Sequence, residues 1–392
     1  MRKHILIVGA GYGGLLSALS ARAHFSPEEA EITVINKYDT HQIITELHRL
    51  AVGNIAEKAV TLPLEHLFKG KSIRLRIGTV AAIDPNGRSV ALEDGSTYAY
   101  DALVLALGSE SNFFGVPGLQ EHSFTLKSVA DAKRIYAHLN GKIAAYARAK
   151  RKADATFVVG GGGLTGVELV GELADELPDI CRSHGVDFAD VSIYLVESKS
   201  NILSSYSADL IRRAVTSLEK RGVRFLTGLT ITEVNGTTVS LKDGRKLEAG
   251  TVLWAGGVKG SSLVANCGIA VDRGRASVNA YLQSVSHPEV FVAGDCAVVL
   301  GPDGLPYPPT AQLSWQMGEH IGGNLYAYFK GAKMDAFEPV NSGSLASLGR
   351  KDGIGWIGES GIELKGLPAT WMKKASDVRY LAHIDGLFSL AY

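Results

Sequence analysis

The sequence predicts an α/β protein in which a β-α-β unit followed by an antiparallel β-meander occurs twice. Residues 73–108 and residues 223–257 place N-G and D-G turns in the same order between alternating apolar and polar residues, a pattern typical of short meanders. An apolar strand that runs into a G-x-G-x-x-G motif precedes each of them, at residues 4–14 and 156–166. Two copies of one unit therefore account for most of the first 257 residues.

Each G-x-G-x-x-G motif has the features of a dinucleotide-binding turn. Its glycines allow a tight turn and close approach of a ligand, while the following helix directs free N–H groups and its dipole at a pyrophosphate. One such motif is weak evidence, because glycine-rich turns also serve packing, but both motifs here follow an apolar strand and open a helical pattern. The sequence therefore predicts two Rossmann-like dinucleotide-binding domains. The motif glycines are Gly9, Gly11 and Gly14 in the first domain and Gly161, Gly163 and Gly166 in the second.

The second strands of the two units end in different residues. Residues 191–197 end in Glu197, which can accept hydrogen bonds from a ribose 2′-OH and would repel a 2′-phosphate, so the second unit is predicted to prefer NADH to NADPH. Residues 31–37 end in Asn36 and Lys37. These two residues either form an ordinary strand end with a solvated lysine, or Asn36 binds a ribose with Lys37 near phosphate or adenine.

Composition limits the remaining possibilities. With 40 basic and 40 acidic residues the chain has no net charge, which argues against a nucleic-acid partner. No run of 18 apolar residues predicts a spanning helix, and the N-terminus runs directly into a strand without room for a signal peptide. The three scattered cysteines suit a reducing compartment. We expect a cytoplasmic protein, or one that lies on the inner face of a membrane, without a bound metal.

A third element follows the second unit. Residues 287–299 read as a strand that ends in Gly294-Asp295, and a helix is predicted to begin after Pro308-Pro309. Asp295 could be a simple turn residue. Two units followed by such a strand resemble the two-dinucleotide-binding flavoproteins of the glutathione-reductase fold, in which this aspartate holds the ribityl-phosphate region of FAD. The disulfide reductases of that fold need a cysteine pair, and the cysteines of this chain are not near each other in sequence.

Seven segments, in order, closely resemble the type II NADH dehydrogenases. They are residues 36–53, 105–119, 157–178, 254–261, 291–297, 306–316 and 346–358. The resemblance departs slightly in the last-but-one segment, where the family pattern A-Q-x-A-x-Q has Ser314 in place of its second alanine.

This resemblance implies a single-subunit NADH:quinone oxidoreductase of a respiratory chain that does not pump protons. One non-covalent FAD per chain would take a hydride from the substrate NADH, and two electrons and two protons would then pass to a membrane quinone. The family also implies a homodimer, bound peripherally to the cytoplasmic side of the cell membrane.

The resemblance assigns Glu168 as the catalytic acid or proton relay, at the junction of nicotinamide, flavin and quinone. Glu168 could instead be a carboxylate that only stabilises the N-terminus of its helix. Glu172, one helical turn further on, is the competing candidate for the proton relay.

Two glutamines at four-residue spacing, Gln312 and Gln316, can donate amide N–H groups without a change of charge as electrons pass. An ordinary polar helix face would show the same spacing. Their position after Gly294-Asp295 favours a site in which Gln312 contacts the flavin and Gln316 donates to the quinone.

The predicted nucleotide contacts extend beyond the motif glycines. On the FAD side they are Gly9, Ala10, Gly11, Tyr12, Gly13, Gly14, Asn36, Lys37, Val80, Gly108, Asp295, Ala311 and Gln312, and on the NADH side Gly161, Gly163, Gly166, Glu197 and Gly256.

The C-terminal residues 368–392 are predicted to form an amphipathic helix at a membrane surface, with a core helix of a small capping domain as the alternative. The helix is predicted to turn an apolar stripe to the membrane, with basic residues beside it. The stripe comprises Trp371, Ala375, Val378, Leu381 or Ala382, Leu387 and Phe388, and the basic residues are Lys373, Lys374 and Arg379.

The predicted organisation has three parts: an FAD domain of residues 1–112 and 252–330, an NADH domain of residues 113–251, and a membrane-facing and dimer-forming region of residues 331–392. Two other functions share the nucleotide motifs. One is a soluble NADH:acceptor reductase that uses oxygen or an iron–sulfur protein, and the other is an NADH-sensing flavoprotein without fast turnover.

Overall fold

The computed structural model describes residues 2–385. Its α-helices are α1 (Tyr12–His24), α2 (Leu47–Leu50), α3 (Leu64–Phe68), α4 (Leu119–His122), α5 (Val129–Ala149), α6 (Leu164–Ser183), α7 (Ala208–Glu219), α8 (Ser262–Asn266), α9 (Ala311–Lys330) and α10 (Leu367–Asp385).

The β-strands alternate with these helices in the first part of each repeat and follow one another in the meanders. They are β1 (Lys3–Val8), β2 (Ala30–Asn36), β3 (Thr40–Gln42), β4 (Thr61–Pro63), β5 (Ile73–Ile77), β6 (Val80–Asp84), β7 (Ser89–Leu92), β8 (Thr97–Ala99), β9 (Ala102–Leu105), β10 (Ser109–Ser111), β11 (Thr156–Gly160), β12 (Ser192–Glu197), β13 (Val223–Thr227), β14 (Ile231–Asn235), β15 (Thr238–Leu241), β16 (Lys246–Glu248), β17 (Thr251–Trp254), β18 (Val258–Gly260), β19 (Val271–Asp272), β20 (Arg275–Ser277), β21 (Val290–Val292), β22 (Ala297–Val298), β23 (Gly343–Ser347), β24 (Gly353–Ile357) and β25 (Ile362–Lys365).

The chain forms two compact units. The first unit contains the residues up to Gln42, Thr61–Glu110 and Val258–Val340. The second contains Ile43–Val60, Ser111–Gly257 and the described residues from Asn341 to Asp385. Residues 43–60, which we call the inserted segment, therefore belong to the second unit although they lie between β3 and β4 of the first in sequence.

The first unit is built on a parallel sheet with strand order β21-β9-β1-β2-β5. Strands β1 and β2 pair from Lys3 with Ala30 to Val8 with Ile35. Both are almost wholly apolar and buried, as expected for a parallel sheet that is covered on both faces. Helix α9 packs on α1 through glycine, because a Cβ on Gly318 would stand only 2.3 Å from the carbonyl oxygen of Gly13.

The second unit repeats this architecture with a parallel sheet of order β13-β12-β11-β17. Each unit also carries a three-stranded antiparallel meander, β6-β7-β8 in the first and β14-β15-β16 in the second. The D-G turns of the meanders place Gly95 at φ +85° and Gly244 at φ +88°, a backbone conformation that favours glycine. The predicted α/β fold with two copies of one unit is confirmed.

A further antiparallel sheet, β23-β24-β25, belongs to the second unit, and α10 packs against β23 and β24. The turn after β23 approaches α6 closely, since a Cβ on Gly171 would lie 2.7 Å from the backbone of Leu348 and Gly349. The predicted C-terminal region does not form a third compact unit, because these contacts join its described residues from Asn341 onward to the second unit. Which nucleotide each unit binds stays a prediction.

Within residues 2–385, no helix is both long enough and apolar enough to cross a membrane.

Candidate nucleotide and quinone sites

The glycine-rich turn of the first unit is stabilised by backbone hydrogen bonding and by close packing at its glycines. Gly9 has φ +97° and donates its N–H to the carbonyl oxygen of Ile35 over 2.8 Å. A Cβ on Gly14 would lie 1.8 Å from the carbonyl oxygen of Gly9, so helix and strand can meet only through glycine here. The Asn36 side chain completes the turn, since its Oδ1 accepts the Ala10 N–H at 2.9 Å.

The glycine-rich turn of the second unit has the same backbone geometry. Gly161 has φ +107° and donates to the carbonyl oxygen of Val196 over 2.8 Å. A Cβ on Gly166 would stand 1.9 Å from the carbonyl oxygen of Gly161. Glu197 takes the place of Asn36, and its Oε2 accepts the N–H of Gly162 at 2.6 Å. In both units, therefore, the side chain at the end of the second strand accepts a hydrogen bond from the glycine turn. It is an amide in the first unit and a carboxylate in the second.

The middle glycine of each motif faces open space. A Cβ on Gly11 or Gly163 would meet no protein atom within 4 Å among the described residues, and neither glycine has a positive φ. Each is the N-cap of a long helix without a side-chain cap from the described part of the chain. By contrast, Ser128, Ser207 and Thr310 cap α5, α7 and α9. Two uncapped helix ends behind open glycines fit the pyrophosphates of FAD and NADH.

The other residues predicted on the FAD side lie in the first unit. Asp295 accepts the Ser109 hydroxyl at 2.8 Å, and the Lys37 ammonium lies 5.6 Å from the centre of the Tyr38 ring. Tyr12 begins α1 and is 7 % exposed, and a Cβ on the next residue, Gly13, would touch Ala293. Val80 is buried at the start of β6, and Ala311 begins α9. Gly108 has φ +65°, and a Cβ there would meet no described atom within 4 Å.

On the NADH side, a cleft of about 840 Å³ opens next to Glu197. Its lining includes Lys199, Ser200 and Arg212, and the N–H of Lys199 donates to Glu197 Oε1 over 2.7 Å. Gly256 lies against the ring of Trp254, which a Cβ would approach to 2.4 Å.

Glu168 is the centre of a buried polar cluster in the second unit. Its Oε1 accepts hydrogen bonds from the Lys373 ammonium at 2.5 Å and from the Ser347 N–H at 3.0 Å. The Ser347 hydroxyl lies 3.3 Å from the same oxygen and 3.2 Å from His48 Nε2. Glu168 is 8 % exposed, so its charge is balanced by Lys373 and by hydrogen bonds rather than by water.

The inserted segment supplies the second half of this cluster. Lys373 lies 3.3 Å from Glu46 Oε1, and Arg49 donates to Glu46 Oε2 over 2.7 Å. Burial favours the neutral form of Glu46, but the charge of Lys373 and the hydrogen bond and charge of Arg49 outweigh it and lower the pKa of Glu46 to about 2. Burial also lowers the pKa of His48 to about 4, so His48 is neutral at pH 7. Lys373 thus contacts the carboxyl groups of both Glu46 and Glu168.

Glu172 has a different environment, one helical turn along α6. It is 1 % exposed, and its Oε2 accepts the Asn54 amide at 2.6 Å. Burial raises the pKa of Glu172 to about 7. On α10, burial followed by the charge of Glu46 raises the pKa of Asp377 to about 7 as well. The cluster therefore contains paired carboxylates and carboxyls that hold protons near neutral pH.

The two predicted glutamines lie on α9 in the first unit and contact the same residue. The side-chain nitrogens of Gln312 and Gln316 donate to the carbonyl oxygen of Val340 at 3.0 and 2.9 Å. Gln316 Oε1 also accepts the Val340 N–H at 2.7 Å. The structure thus brings the two amides together, as the spacing predicted, and ties them to a backbone segment that the sequence did not indicate.

Several residues of the polar cluster were missed by the sequence reasoning. Lys373 was predicted to flank a membrane-facing helix, and this is wrong, because it is only partly exposed and pairs with Glu168 and Glu46. His48, Asn54 and Ser347 carry no local signal, because they meet α6 only through contacts distant in sequence.

The apolar stripe predicted on the C-terminal helix is exposed at Trp371, Ala375 and Val378 and half-buried at Leu381 and Ala382. Trp371 is 66 % and Val378 44 % exposed, while Ala369, Tyr380 and Ile384 are buried on the other side of α10. Leu387 and Phe388 lie outside the described residues.

The three cysteines form no redox pair. Cys181, Cys267 and Cys296 are all free, and burial raises the pKa of Cys296, next to Asp295, to about 11. A dithiol mechanism therefore has no residues to support it.

Comparisons with known proteins agree with this geometry. Residues 3–318 match the family described as pyridine nucleotide-disulphide oxidoreductase. Among solved structures, the chain is similar to NDH2 from Plasmodium falciparum in complex with NADH, with a TM-score of 0.88 and 17% identity over 100% of this chain and 97% of that one. It is also similar to the sulfide:quinone oxidoreductase of Aquifex aeolicus, with a TM-score of 0.82 and 20% identity over 98% and 92% of the two chains. At these identities the likeness shows the shared fold.

Relatives with higher sequence identity identify the family to which the chain belongs. The chain is 36% identical to the type II NADH:quinone oxidoreductase of Staphylococcus saprophyticus over 98% of its own length and 97% of that protein. It is 37% identical to the Staphylococcus aureus protein of the same name, with the same coverage. The chain belongs to the type II NADH:quinone oxidoreductases, within the pyridine nucleotide-disulphide oxidoreductase family.

Proposed function

We propose that this chain catalyses NADH:quinone oxidoreduction, with FAD in the first unit, NADH in the second, and no proton pumping. The observation that carries the proposal is the pair of uncapped helix ends behind open glycines, in a chain that belongs to this family over 98% of its length. FAD, when bound, supplies the two-electron chemistry that links NADH to a quinone. The predicted ranges, 1–112 with 252–330 for FAD and 113–251 for NADH, remain part of this proposal.

The first unit would hold FAD through the turn Gly9–Gly14 and the N-terminus of α1, with Asn36 and Lys37 at the ribose and Asp295 at the ribityl chain. Asn36 Oδ1 already accepts the Ala10 N–H. A carbonyl oxygen can accept a second hydrogen bond, so Asn36 can brace the turn and still contact a ribose. The hydrogen bond from Ser109 fixes the Asp295 carboxylate in place.

The second unit would hold NADH through Gly161, Gly163 and the N-terminus of α6. Glu197 Oε1 accepts the Lys199 N–H and the Ser198 hydroxyl. Its Oε2 accepts the Gly162 N–H, which leaves a lone pair on Oε2 for a ribose hydroxyl. The cleft beside it is suited to the adenosine end of the nucleotide. A 2′-phosphate would meet the negative charge of Glu197, so NADPH is the weaker substrate.

Reduction of a quinone consumes two electrons and two protons, and we assign proton transfer to Glu168. Its contact with the Ser347 hydroxyl, which in turn meets His48, gives it hydrogen-bonded neighbours through which a proton can move. The hydrogen bond from Lys373 fixes the position of the Glu168 carboxylate. Glu172 is the alternative relay, supported by its raised pKa of about 7.

The quinone head would accept hydrogen bonds from Gln312 and Gln316, whose uncharged amides suit an acceptor that changes its own charge during reduction. Ser314 between them is small and buried, so it leaves space next to the amides.

We further propose that the enzyme is a homodimer bound peripherally to the cytoplasmic face of the cell membrane. The exposed apolar side of α10, with Trp371 and Val378, supports contact with lipid, because an interfacial helix needs such a face together with basic neighbours. Lys374 and Arg379 lie on the exposed part of the same helix.

Steady-state NADH oxidation with different acceptors tests the proposal. We expect a soluble menaquinone or ubiquinone analogue to accelerate NADH oxidation well above the rates with ferredoxin and with oxygen alone. Acceleration by ferredoxin or oxygen only would favour a soluble acceptor reductase. Slow oxidation with every acceptor, despite bound FAD and NADH, would favour a sensing flavoprotein.

A further inference from the structure

Helix α9 carries a row of four polar residues at four-residue spacing, Gln312, Gln316, His320 and Asn324. This spacing places them along one face of the helix. They bind the backbone of residues 335–340, which we call the return segment. His320 and Asn324 contact the carbonyl oxygen of Asp335 at 2.8 and 2.9 Å.

The return segment runs antiparallel to α9. The residues late in the helix bind its beginning at Asp335, and the residues early in the helix bind its end at Val340. Two further contacts hold it: the N–H of Phe337 donates to the carbonyl oxygen of Ala280 at 2.8 Å, and the N–H of Asp335 donates to Asn324 Oδ1 at 2.9 Å. The segment thus has a fixed position although it contains no regular secondary structure.

This contact determines how the two glutamine amides are oriented. Gln316 both donates to the carbonyl oxygen of Val340 and accepts its N–H, so turning the amide over would lose both hydrogen bonds. Gln312 donates to the same carbonyl oxygen. The two side-chain nitrogens therefore lie within about 6 Å of each other, since each is within 3.0 Å of one atom.

Each carboxamide nitrogen has two N–H groups. Val340 uses one N–H of each glutamine, and within the described part of the chain no second acceptor is bonded to either nitrogen. One N–H donor of each glutamine is left available, and both donors belong to side chains that are already ordered.

We propose that the main chain of Val340 is a template that orients Gln312 and Gln316 for the carbonyl oxygens of a quinone. Val340 is then a positioning residue that acts through the glutamines. The inference rests on the proposed function, because it needs a quinone as the ligand. It adds a residue from the irregular segment after α9 to the quinone site.

The physical basis is pre-organisation. A free glutamine side chain loses much rotamer freedom when it is immobilised. If that ordering occurs during folding, the ligand does not have to compensate for it on binding. The Val340 side chain is 62 % exposed, so the role belongs to its N–H and carbonyl groups rather than to packing.

The test compares V340P with V340A, both as FAD-loaded full-length enzymes. Proline removes the N–H that Gln316 accepts, whereas alanine keeps it and shortens the same exposed side chain. We expect the quinone KM of V340P to exceed that of V340A by about tenfold, with equal NADH KM, because one net hydrogen bond corresponds to roughly that factor. Equilibrium binding of a quinone analogue to the enzyme without NADH is expected to weaken in parallel.

Equal quinone KM and equal analogue binding for V340P and V340A would overturn the proposal. Should V340P fail to retain FAD, H320A and H320Q decide instead, because His320 anchors the return segment away from the amides. H320A is expected to raise the quinone KM severalfold and H320Q, which keeps a donor, to restore it; an unchanged KM in H320A would refute the template. If quinone does not accelerate NADH oxidation by the wild-type enzyme, the proposed function is refuted as well.

Discussion

The two dinucleotide units share one backbone design and differ in what their first helix carries. Helix α1 presents small residues to α9, where Gly13 and Gly318 allow close contact. Helix α6 presents Glu168 and Glu172 to a polar cluster. The same glycine turn therefore serves an apolar helix pair in the first unit and a set of buried carboxyls in the second. In the proposed function the turn of each unit binds a nucleotide, and of the two helices behind the turns α6 carries the buried carboxyls that we propose for proton transfer.

The largest expected effect comes from removing the charge of Glu168. E168Q leaves the Lys373 ammonium with one carboxylate partner fewer, and we expect about 3 kcal/mol lower stability together with a fall in quinone turnover on the order of 100-fold. Denaturant unfolding and quinone-dependent NADH oxidation measure the two effects.

The double variant E168Q/K373M separates these effects. Without the buried cation, part of the lost stability is expected to return, since Glu46 keeps Arg49 as a partner. Turnover is expected to stay low, because Glu168, the group we propose for proton transfer, is still missing. Full turnover in FAD-loaded E168Q would exclude Glu168 from the mechanism.

Glu172 is expected to make the stability of the enzyme pH-dependent. Its pKa in the folded protein, about 7, lies above the value of about 4.3 in an unfolded chain. The folded state therefore binds the proton more tightly, and the stability due to Glu172 is complete below about pH 4 and is lost as the pH rises through 7. The difference is about 4 kcal/mol.

E172Q keeps a neutral hydrogen-bonding side chain and lacks this dependence. Relative to wild type, we expect E172Q to gain stability between pH 5 and pH 8, measured by urea unfolding at both values. Parallel curves for the two proteins would show that Glu172 is ionised throughout this range.

The open glycines offer a matched pair of substitutions, one in each unit. In G11A and G163A the new methyl group meets no protein atom within 4 Å of the described structure, so folding is expected to be unaffected. We expect G11A to weaken FAD retention and G163A to raise the NADH KM, each by about tenfold. Equilibrium dialysis of FAD and steady-state kinetics distinguish them. The reverse outcome would exchange the nucleotide assignment of the two units.

The smallest expected effect concerns the strand-end residues. E197Q removes the negative charge but keeps an oxygen acceptor for the N–H of Gly162. We expect the ratio of kcat/KM for NADPH to that for NADH to rise about fivefold, which corresponds to roughly 1 kcal/mol. Asn36 lacks this charge in wild type, so N36D is the matched control, and it is expected to leave the ratio unchanged. An unaltered ratio in E197Q would mean that the ribose is held elsewhere.

The local features of the molecule were predictable from the sequence, because glycine spacing and strand patterns act within about 15 residues. The Glu168 cluster was not. Ser347 and Lys373 lie 179 and 205 residues from Glu168 along the chain. The spacing of polar and apolar residues within one helix or strand does not predict contacts over such distances in sequence. Val340 was missed for a related reason, since the return segment has no regular structure and acts through its backbone, which carries no sequence signal.

Anaerobic mixing experiments test the central proposal, that bound FAD accepts electrons from NADH and passes them on to a quinone. Wild-type enzyme loaded with FAD is first mixed with one equivalent of NADH, and the flavin absorbance is followed. It is then mixed with a quinone analogue. We predict that NADH removes the flavin absorbance and that quinone restores it rapidly, much faster than buffer alone. Flavin that NADH reduces but quinone cannot reoxidise would contradict the account.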